Sequence, residues 1–338
     1  MDVKQNVSLK TYNTFGIDVQ AAFMTCFSSV EEISEILNNP SFNKMPKLVL
    51  GGGSNILFTK DFEGLVLKND IPGIVVTEER DDNVLVTAGA GVKWHSLVTW
   101  CIEKGLGGIE NLSLIPGNTG AAPIQNIGAY GVELKDSFFS LDAIELETGK
   151  TIRYTHDQCE FGYRDSIFKR HLKGKLIITS VTLALSKHPV LQLSYGAIEQ
   201  ELKVMGVEKP DVKAVSDAVC AIRRSKLPDP LVIGNAGSFF KNPEISNAAM
   251  ELLKKQFPGI VSYPLPGGNV KLAAGWLIEQ CGWKGKVFGN TGSHKNQALV
   301  LVNYGNANGN EIWELALKIQ ASVHDKFGVL IEPEVNIM

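Results

Sequence analysis

The sequence predicts an α+β protein in two parts, an α/β domain ending near residue 187 and a smaller α/β domain after it. Three observations carry that expectation. A chain of 338 residues exceeds what one hydrophobic core usually serves. Short apolar and β-branched runs crowd the first half, whereas helical stripes dominate after His188-Pro189. Between them, residues 111–132 read NLSLIPGNTGAAPIQNIGAYGV, without one charged side chain.

That uncharged stretch is not a membrane helix. Pro116 and Pro123 interrupt a helix, and Gly117, Gly120, Gly128 and Gly131 loosen it further. A strand fails for the same residues, since proline removes ladder donors and glycine packs nothing. What remains is a long irregular segment of small residues, and such segments in compact domains are usually functional. Small side chains let the main chain approach a flat or anionic ligand closely enough to donate its N–H groups. The segment therefore reads as a cofactor cradle.

The other elements follow in order. Residues 46–50 (PKLVL) form a short buried strand running into GGGSN, and further strands over 64–67, 73–77 and 84–88 suit a small mixed sheet. Trp94, Leu97, Val98, Cys101 and Ile102 share one helical face over 93–103, stopped by Gly105. Thr148-Gly149 joins a hairpin of 138–145 and 151–154, and 175–185 is a strand. In the second part, helices fit 211–226, 244–256, 270–280 and 311–327, the last capped by Asn310 and ended by Gly328; 298–303 and the terminal VLIEPEVNIM are strands.

Composition narrows function. With 44% hydrophobic residues, 20% charged and a net charge of −3, nothing suggests a nucleic-acid or membrane surface. The N-terminal MDVKQNVSLKTYNTFG lacks the apolar core of a signal peptide, so a cytoplasmic protein is expected. Five scattered cysteines without a CxxC pair read as buried free thiols, and six dispersed histidines argue for no metal.

Four further segments carry chemistry. LVLGGGSN (48–55) is a strand and glycine turn, neither GxGxxG nor GxxxxGK[ST], on whose N–H groups a pyrophosphate can sit. In GYRDSIFK (162–169), Arg164 can clamp a carboxylate at two points; an Arg164–Asp165 surface pair is the plainer reading. In KLPDP…GNAGSFFKNP (226–243), Ser238 lacks the GxSxG frame of a hydrolase, but lysine and asparagine donors nearby would stabilise its alkoxide, making it a proton donor. Otherwise it is a turn serine satisfying a main-chain group. Alternation places Glu332 and Glu334 on one face of the terminal strand, where a pocket would raise a carboxyl pKa and solvent would not.

Taken in order, NTFGI (13–17), GGGSN (51–55), IPGNTGAAPIQNIGAYG (115–131), YRDSIFK (163–169), KLPDP (226–230), GNAGSFFKNP (234–243), LAAGWLIEQ (272–280) and PEV (333–335) resemble the UDP-N-acetylenolpyruvoylglucosamine reductase family of bacterial cell-wall synthesis. The likeness spans nearly the whole chain. It implies an FAD-binding domain of the vanillyl-alcohol-oxidase type with two α/β lobes, over 1–188 (roughly 1–68 and 69–188), then a substrate-binding domain over 200–327. Residues 328–338 would be a strand returning to the active site. It further implies an NADPH-dependent, FAD-mediated reduction of an enolpyruvyl ether of a UDP-sugar, by hydride transfer from flavin N5 to the methylene carbon, in a cytoplasmic monomer.

Residue by residue, the resemblance implies that Arg164 holds the substrate carboxylate, Ser238 donates the proton and Glu334 completes the catalytic trio. Gly51, Gly52, Gly53, Ser54 and Asn55 would bind FAD. So would Ile115, Pro116, Gly117, Asn118, Gly120, Ala121, Gln125, Asn126, Gly128, Ala129, Tyr130 and Gly131. Tyr163, Lys226, Asn242 and Gln297 would touch substrate, and Tyr195 in LSYGAI resembles the loop tyrosine of the family's tyrosine-containing branch. Two features depart from the pattern: Asn118-Thr119 stands where related chains carry a more apolar pair, and the chain stops shortly after Glu334. Two other readings of the same residues are a flavin-dependent oxidase and a non-enzymatic flavin- or nucleotide-sugar-binding module.

Overall fold

Strand-forming residues of the first half build two sheets rather than one. The computed structural model describes residues 2–195 and 197–338. One sheet has the order Lys4–Ser8, Gln20–Phe27, Phe62–Asn69, Lys47–Leu50, with the last three strands parallel. The other is antiparallel, ordered Thr151–Thr155, Phe138–Glu145, Leu176–Ser186, Asn83–Gly89, Ile74–Glu79. The mixed sheet expected over 46–88 is thus divided. Asn69 marks the break: its side-chain amide donates to Ile178 O (2.8 Å) and its Oδ1 accepts from Ile71 N (3.2 Å), so the chain turns into the second sheet.

Each sheet has its own apolar core. Phe27, Ile33, Ile36, Phe42, Leu65 and Leu67 gather under the first. The helix Val30–Leu37 belongs there; its Ser29 cap accepts from Glu32 N, a start signal that the apolar pattern alone did not reveal. Under the second, the helix Trp94–Glu103 buries Trp94, Leu97, Val98 and Cys101, four of the residues whose spacing predicted it. Gly105 stops it at φ +71°, a left-handed conformation suited to glycine. Burial pushes the Cys101 and Cys159 thiols up to about 12, so both are inert. All five cysteines are free; Cys26 is exposed, contrary to the expectation of buried thiols throughout.

The chain divides into two compact units. Met1–Val7, Ala21–Gly53 and Phe62–Arg224 make the first; Ser8–Gln20, Ser54–Asp61 and Ser225–Met338 make the second. These boundaries cut the chain elsewhere than a linear division after residue 188. The cause is apolar: Ile198, Leu202, Val215, Ala218, Val219 and Ile222 of two helices, Ile198–Val204 and Val212–Lys226, bury together with Tyr130 of the cradle.

The second unit holds a four-stranded antiparallel sheet ordered Gly234–Ser238, Val300–Asn303, Thr291–Ser293, Val287–Phe288. A three-stranded sheet joins Glu244–Ser246, Asn269–Leu272 and Ser262–Pro264. The helices expected over 244–256 and 270–280 are therefore shorter, Asn247–Gln256 and Ala274–Gln280, each preceded by a strand. The terminal strand is also shorter than expected. Pro333 has no N–H for a ladder, so it forms only an isolated bridge to Phe240, and regular pairing resumes at Asn336–Ile337 beside Ile56–Leu57. Among the described residues no helix is long and apolar enough to cross a membrane.

The helix Gly309–Phe327 is capped by Asn308 rather than Asn310. Asn308 Oδ1 accepts from Glu311 N (3.0 Å) while Glu311 Oε2 accepts from Asn308 N (2.8 Å), a reciprocal box that satisfies two otherwise orphaned donors. Asn308→Ala is expected to lower unfolding free energy by about 1 kcal/mol. Urea denaturation followed by circular dichroism checks this, with a lower midpoint at unchanged slope as the expected result.

Candidate active site

The cradle is irregular main chain, many of whose polar groups are nonetheless paired. Thr119 N and Gly120 N donate to Val92 O (2.8 Å) and Ala90 O (3.0 Å), and Trp94 N donates to Gly117 O (3.0 Å). Asparagine amides do the rest. Asn111 Nδ2 donates to Tyr130 O (3.0 Å) and Gln192 O (2.8 Å). Buried Asn126 donates to Glu133 Oε2 and Gly162 O and accepts from Lys135 N. This clamps the strained part of the loop: Leu114, Asn126 and Tyr130 are non-glycine residues at φ +59°, +43° and +48°. Such conformations cost of order 1–3 kcal/mol each and persist where surroundings impose them, commonly at binding sites.

The two glycine segments meet. A Cβ built on Gly52 would lie 2.9 Å from Gly117 Cα and 3.0 Å from Asn118 Oδ1; one on Gly51 would lie 3.4 Å from Asn118 Cβ. A cavity of about 100 Å³ opens beside them, lined by Gly51, Gly120 and Ala121 together with Val49, Asn69 and Phe168. Apart from Asn69, its walls are glycine, small or apolar groups. These residues fit a dinucleotide in one respect: backbone approaches closely where side chains are missing.

Arg164 stands at the other end of the cradle. It too is left-handed, at φ +53°, in the tight turn that pairs Gly162 with Asp165. One of its guanidinium nitrogens donates to Gly128 O, and the plane lies 5.6 Å from the Tyr163 ring. A Cβ on Gly128 would fall 2.8 Å from Arg164 Nη1, so glycine makes the room the arginine occupies. Asp165, its partner in the plainer reading, pairs with Arg170. Tyr195 is about half exposed, and its Cβ is 3.1 Å from where a Cβ on Gly131 (φ +82°) would be; its neighbour Gly196 lies outside the described residues.

In the second unit, Ser238 ends the strand Gly234–Ser238, shaped by Asn235 Oδ1 accepting from Gly237 N (3.0 Å). The chain beyond it pairs with the C-terminal segment: Glu334 N donates to Phe239 O (2.8 Å) and Lys241 N to Glu332 O (2.9 Å). Ser238, at a strand end, and Glu334 thus lie on neighbouring segments of chain. Asn242 Oδ1 accepts from Ala274 N (2.9 Å), and a Cβ on Gly275 would meet Gln297 Oε1 at 3.2 Å, so Asn242 and Gln297 flank one turn. Lys226 closes its helix beside Ser225, whose carbonyl accepts from Asn296. Asn55 joins this group, since its amide donates to Glu334 O (3.3 Å) and its carbonyl accepts from Asn336 N (3.1 Å).

Comparison with known proteins gives the class first. The description "FAD binding domain" matches residues 21–155, and the expected α+β fold with a smaller C-terminal part holds: this is a flavin-binding oxidoreductase. The crystal structure of the UDP-N-acetylenolpyruvylglucosamine reductase of Thermus caldophilus shares the fold, with a TM-score of 0.71 at 24% identity over 100% of this chain and 99% of that one. "UDP-N-acetylenolpyruvoylglucosamine reductase, C-terminal domain" matches residues 229–338. Reductases of that name from Amoebophilus asiaticus and Flavobacterium johnsoniae are 52% and 50% identical, each over 100% of both chains. The one from Pseudomonas putida is 48% identical over 99% of this chain and 98% of its own. The chain belongs to the UDP-N-acetylenolpyruvoylglucosamine reductase family.

The predicted residues fall into two groups. Gly51 to Gly53, the cradle 115–131, Tyr163, Arg164 and Tyr195 lie in the first unit. Ser54, Asn55, Lys226, Ser238, Asn242, Gln297 and Glu334 lie in the second, so GGGSN is shared between units. The cavity also uses Asn69 and Phe168, which sequence reasoning did not single out; Asn69 followed by Pro72 at a strand end was the available signal. Gly52→Ala is expected to fold yet lose at least tenfold in FAD affinity, since the new methyl must push on the main chain of Gly117. Titration of the apoprotein by flavin fluorescence quenching checks it, and wild-type affinity would contradict the close approach.

Proposed function

We propose that this chain catalyses the NADPH-dependent, FAD-mediated reduction of UDP-N-acetyl-3-O-(1-carboxyvinyl)-glucosamine to UDP-N-acetylmuramate in peptidoglycan synthesis. When bound, FAD supplies a two-electron relay between NADPH and the enolpyruvyl methylene carbon. The observation that carries the reading is the pairing of the Ser238 and Glu334 segments, which joins two chemistry-bearing groups from distant sequence next to Asn242 and its helix turn.

The protein's tasks follow from the charge change. Hydride addition to the methylene carbon leaves negative charge on the adjacent carbon and its carboxylate. Arg164 binds that carboxylate and stabilises the charge; its planar fork matches two oxygens at once. Ser238 gives its proton to the adjacent carbon, and Glu334 is the acid that supports it. Lys226 binds the diphosphate, while Tyr163, Asn242 and Gln297 contact the rest of the substrate. Tyr195, lying against Gly131, supports assignment to the tyrosine-loop branch of the family.

Two substitutions test these roles. Ser238→Ala is expected to leave NADPH reduction of the flavin intact and to slow reoxidation by the enolpyruvyl substrate about 10²–10⁴-fold in stopped flow. Unchanged reoxidation removes the serine from the chemistry, and rapid oxygen turnover with an alcohol donor favours an oxidase instead. Arg164→Lys is expected to lower kcat/KM about 10²-fold, roughly 3 kcal/mol, because an ammonium cannot reproduce the bidentate geometry. Near-normal turnover would make the arginine structural.

A further inference from the structure

The strand that carries Ser238 is out of simple register with its neighbour. Asn235 stands opposite Val302 of the strand Val300–Asn303, whereas Ser238 stands opposite Val300. Two residues, Ala236 and Gly237, therefore face the single residue Leu301, which makes a β-bulge. The consequence is directional. Side chains alternate along a strand, and residues opposite one another share a face. A regular ladder would set Ser238 opposite Leu299, on the face away from Asn235. The bulge sets it on the face of Asn235, Val300 and Val302 instead.

Asn235 closes that bulge, and it is buried. Its Oδ1 accepts from Gly237 N (3.0 Å), a turn that asparagine favours, and Gly237 takes φ +70° within it. Its Nδ2 donates to Ile233 O (2.8 Å) and Pro228 O (3.2 Å). Only this orientation of the amide serves two carbonyls and one N–H, so the turn cannot lose its acceptor by rotation. The backbone is seated as firmly. Asn235 N donates to Thr14 O (3.0 Å) and Asn303 Nδ2 to Phe15 O (2.9 Å), while Phe15 and Phe239 meet edge to face at 6.3 Å. A Cβ on Gly234 would collide with Phe15 O. The motif NTFGI (13–17) is thus a seat for this strand, folded on itself by the Asn13 amide, which donates to Leu9 O and Ile17 O and accepts from Ile17 N.

We propose that Asn235 is a positioning residue for the reaction: through the bulge it closes, it fixes the face on which Ser238 stands and so aims the hydroxyl at the carbon that takes its proton. This rests on the proton-donor reading of Ser238. Proton transfer demands such aim, since a donor works only within hydrogen-bond reach of its acceptor. Bulges beside active sites re-aim side chains in this way.

The test is a double-substitution cycle with Ser238→Ala in the FAD-loaded enzyme. Its readout is flavin reoxidation by saturating enolpyruvyl substrate in stopped flow, with reduction by NADPH as the control. Asn235→Ala alone is expected to slow reoxidation roughly tenfold or more and to leave reduction by NADPH within about twofold of wild type. In the Ser238→Ala background it is expected to add less than about twofold, because a residue that acts through the serine has nothing left to aim. A merely structural asparagine would lower the amount of folded enzyme without this dependence on the serine. Asn235→Ser, whose hydroxyl accepts the same Gly237 N–H less well, is expected to recover part of the loss. Near-wild-type reoxidation in Asn235→Ala overturns the proposal, and so does a slowing of equal size in both backgrounds. If Asn235→Ala does not fold with flavin, Asn235→Ser decides by the same cycle. A slowing of roughly threefold or more that vanishes without the serine supports the proposal, and a smaller or persisting one overturns it. Near-wild-type reoxidation in Ser238→Ala alone would sink the proton-donor reading and the proposal with it; a slow Ser238→Ala beside a fast Asn235→Ala sinks the positioning alone.

Discussion

Everything at the cofactor end of this protein depends on how an irregular main chain satisfies its own hydrogen bonds. Residues 111–132 contain neither a helix of useful length nor a long strand, yet most of the segment is buried. Unpaired backbone groups there would each cost as much as a lost hydrogen bond. The sequence answers with amides rather than charges. Asn111 and Asn126 cross-link carbonyls and N–H groups that no regular ladder reaches, and the 90–94 backbone takes the start of the loop. A charged side chain in the same places would carry a desolvation cost that an amide avoids. The absence of charge in the stretch and its rigidity have one cause.

That rigidity is what lets left-handed residues persist. Leu114, Tyr130 and Arg164 would relax in a free loop; here each lies beside an anchored group. Leu114 N reaches His95, Tyr130 O accepts from Asn111, and Arg164 holds Gly128 O. Strain at a site can be sustained only by surroundings that over-determine it.

How much of this was legible beforehand follows from the kind of signal each element leaves. Helical stripes with a stop, as in Trp94–Glu103, were read closely, because burial of one face fixes the period. The cradle was legible from what it lacked: charge, and any continuous run free of proline and glycine. Gly51 to Gly53 meeting Gly117 was foreshadowed as two segments for one ligand. Missed elements had no such mark. The strand Gln20–Phe27 alternates poorly, since Ala21, Met24, Thr25 and Phe27 are all buried. Helix starts at Asn247 and Ala274 were placed too early, because the short strands Glu244–Ser246 and Asn269–Leu272 pair only with residues remote in sequence.

Gly128 and Arg164 show why the site resists piecemeal change. Any side chain on Gly128 would occupy the space of the Arg164 guanidinium. Conversely, Arg164 reaches Gly128 O only from a turn whose carbonyl at Gly162 is fixed by Asn126, a cradle residue. The arginine and the loop therefore position each other through a closed ring of contacts: Gly128 to Arg164, along the turn to Gly162, across to Asn126, and back along the cradle. In such a ring the effects of single substitutions are not additive, since breaking any contact frees the rest. In the role proposed for Arg164, such support would hold the carboxylate clamp in place before its ligand arrives, which is where the catalytic advantage of a preorganised cation lies.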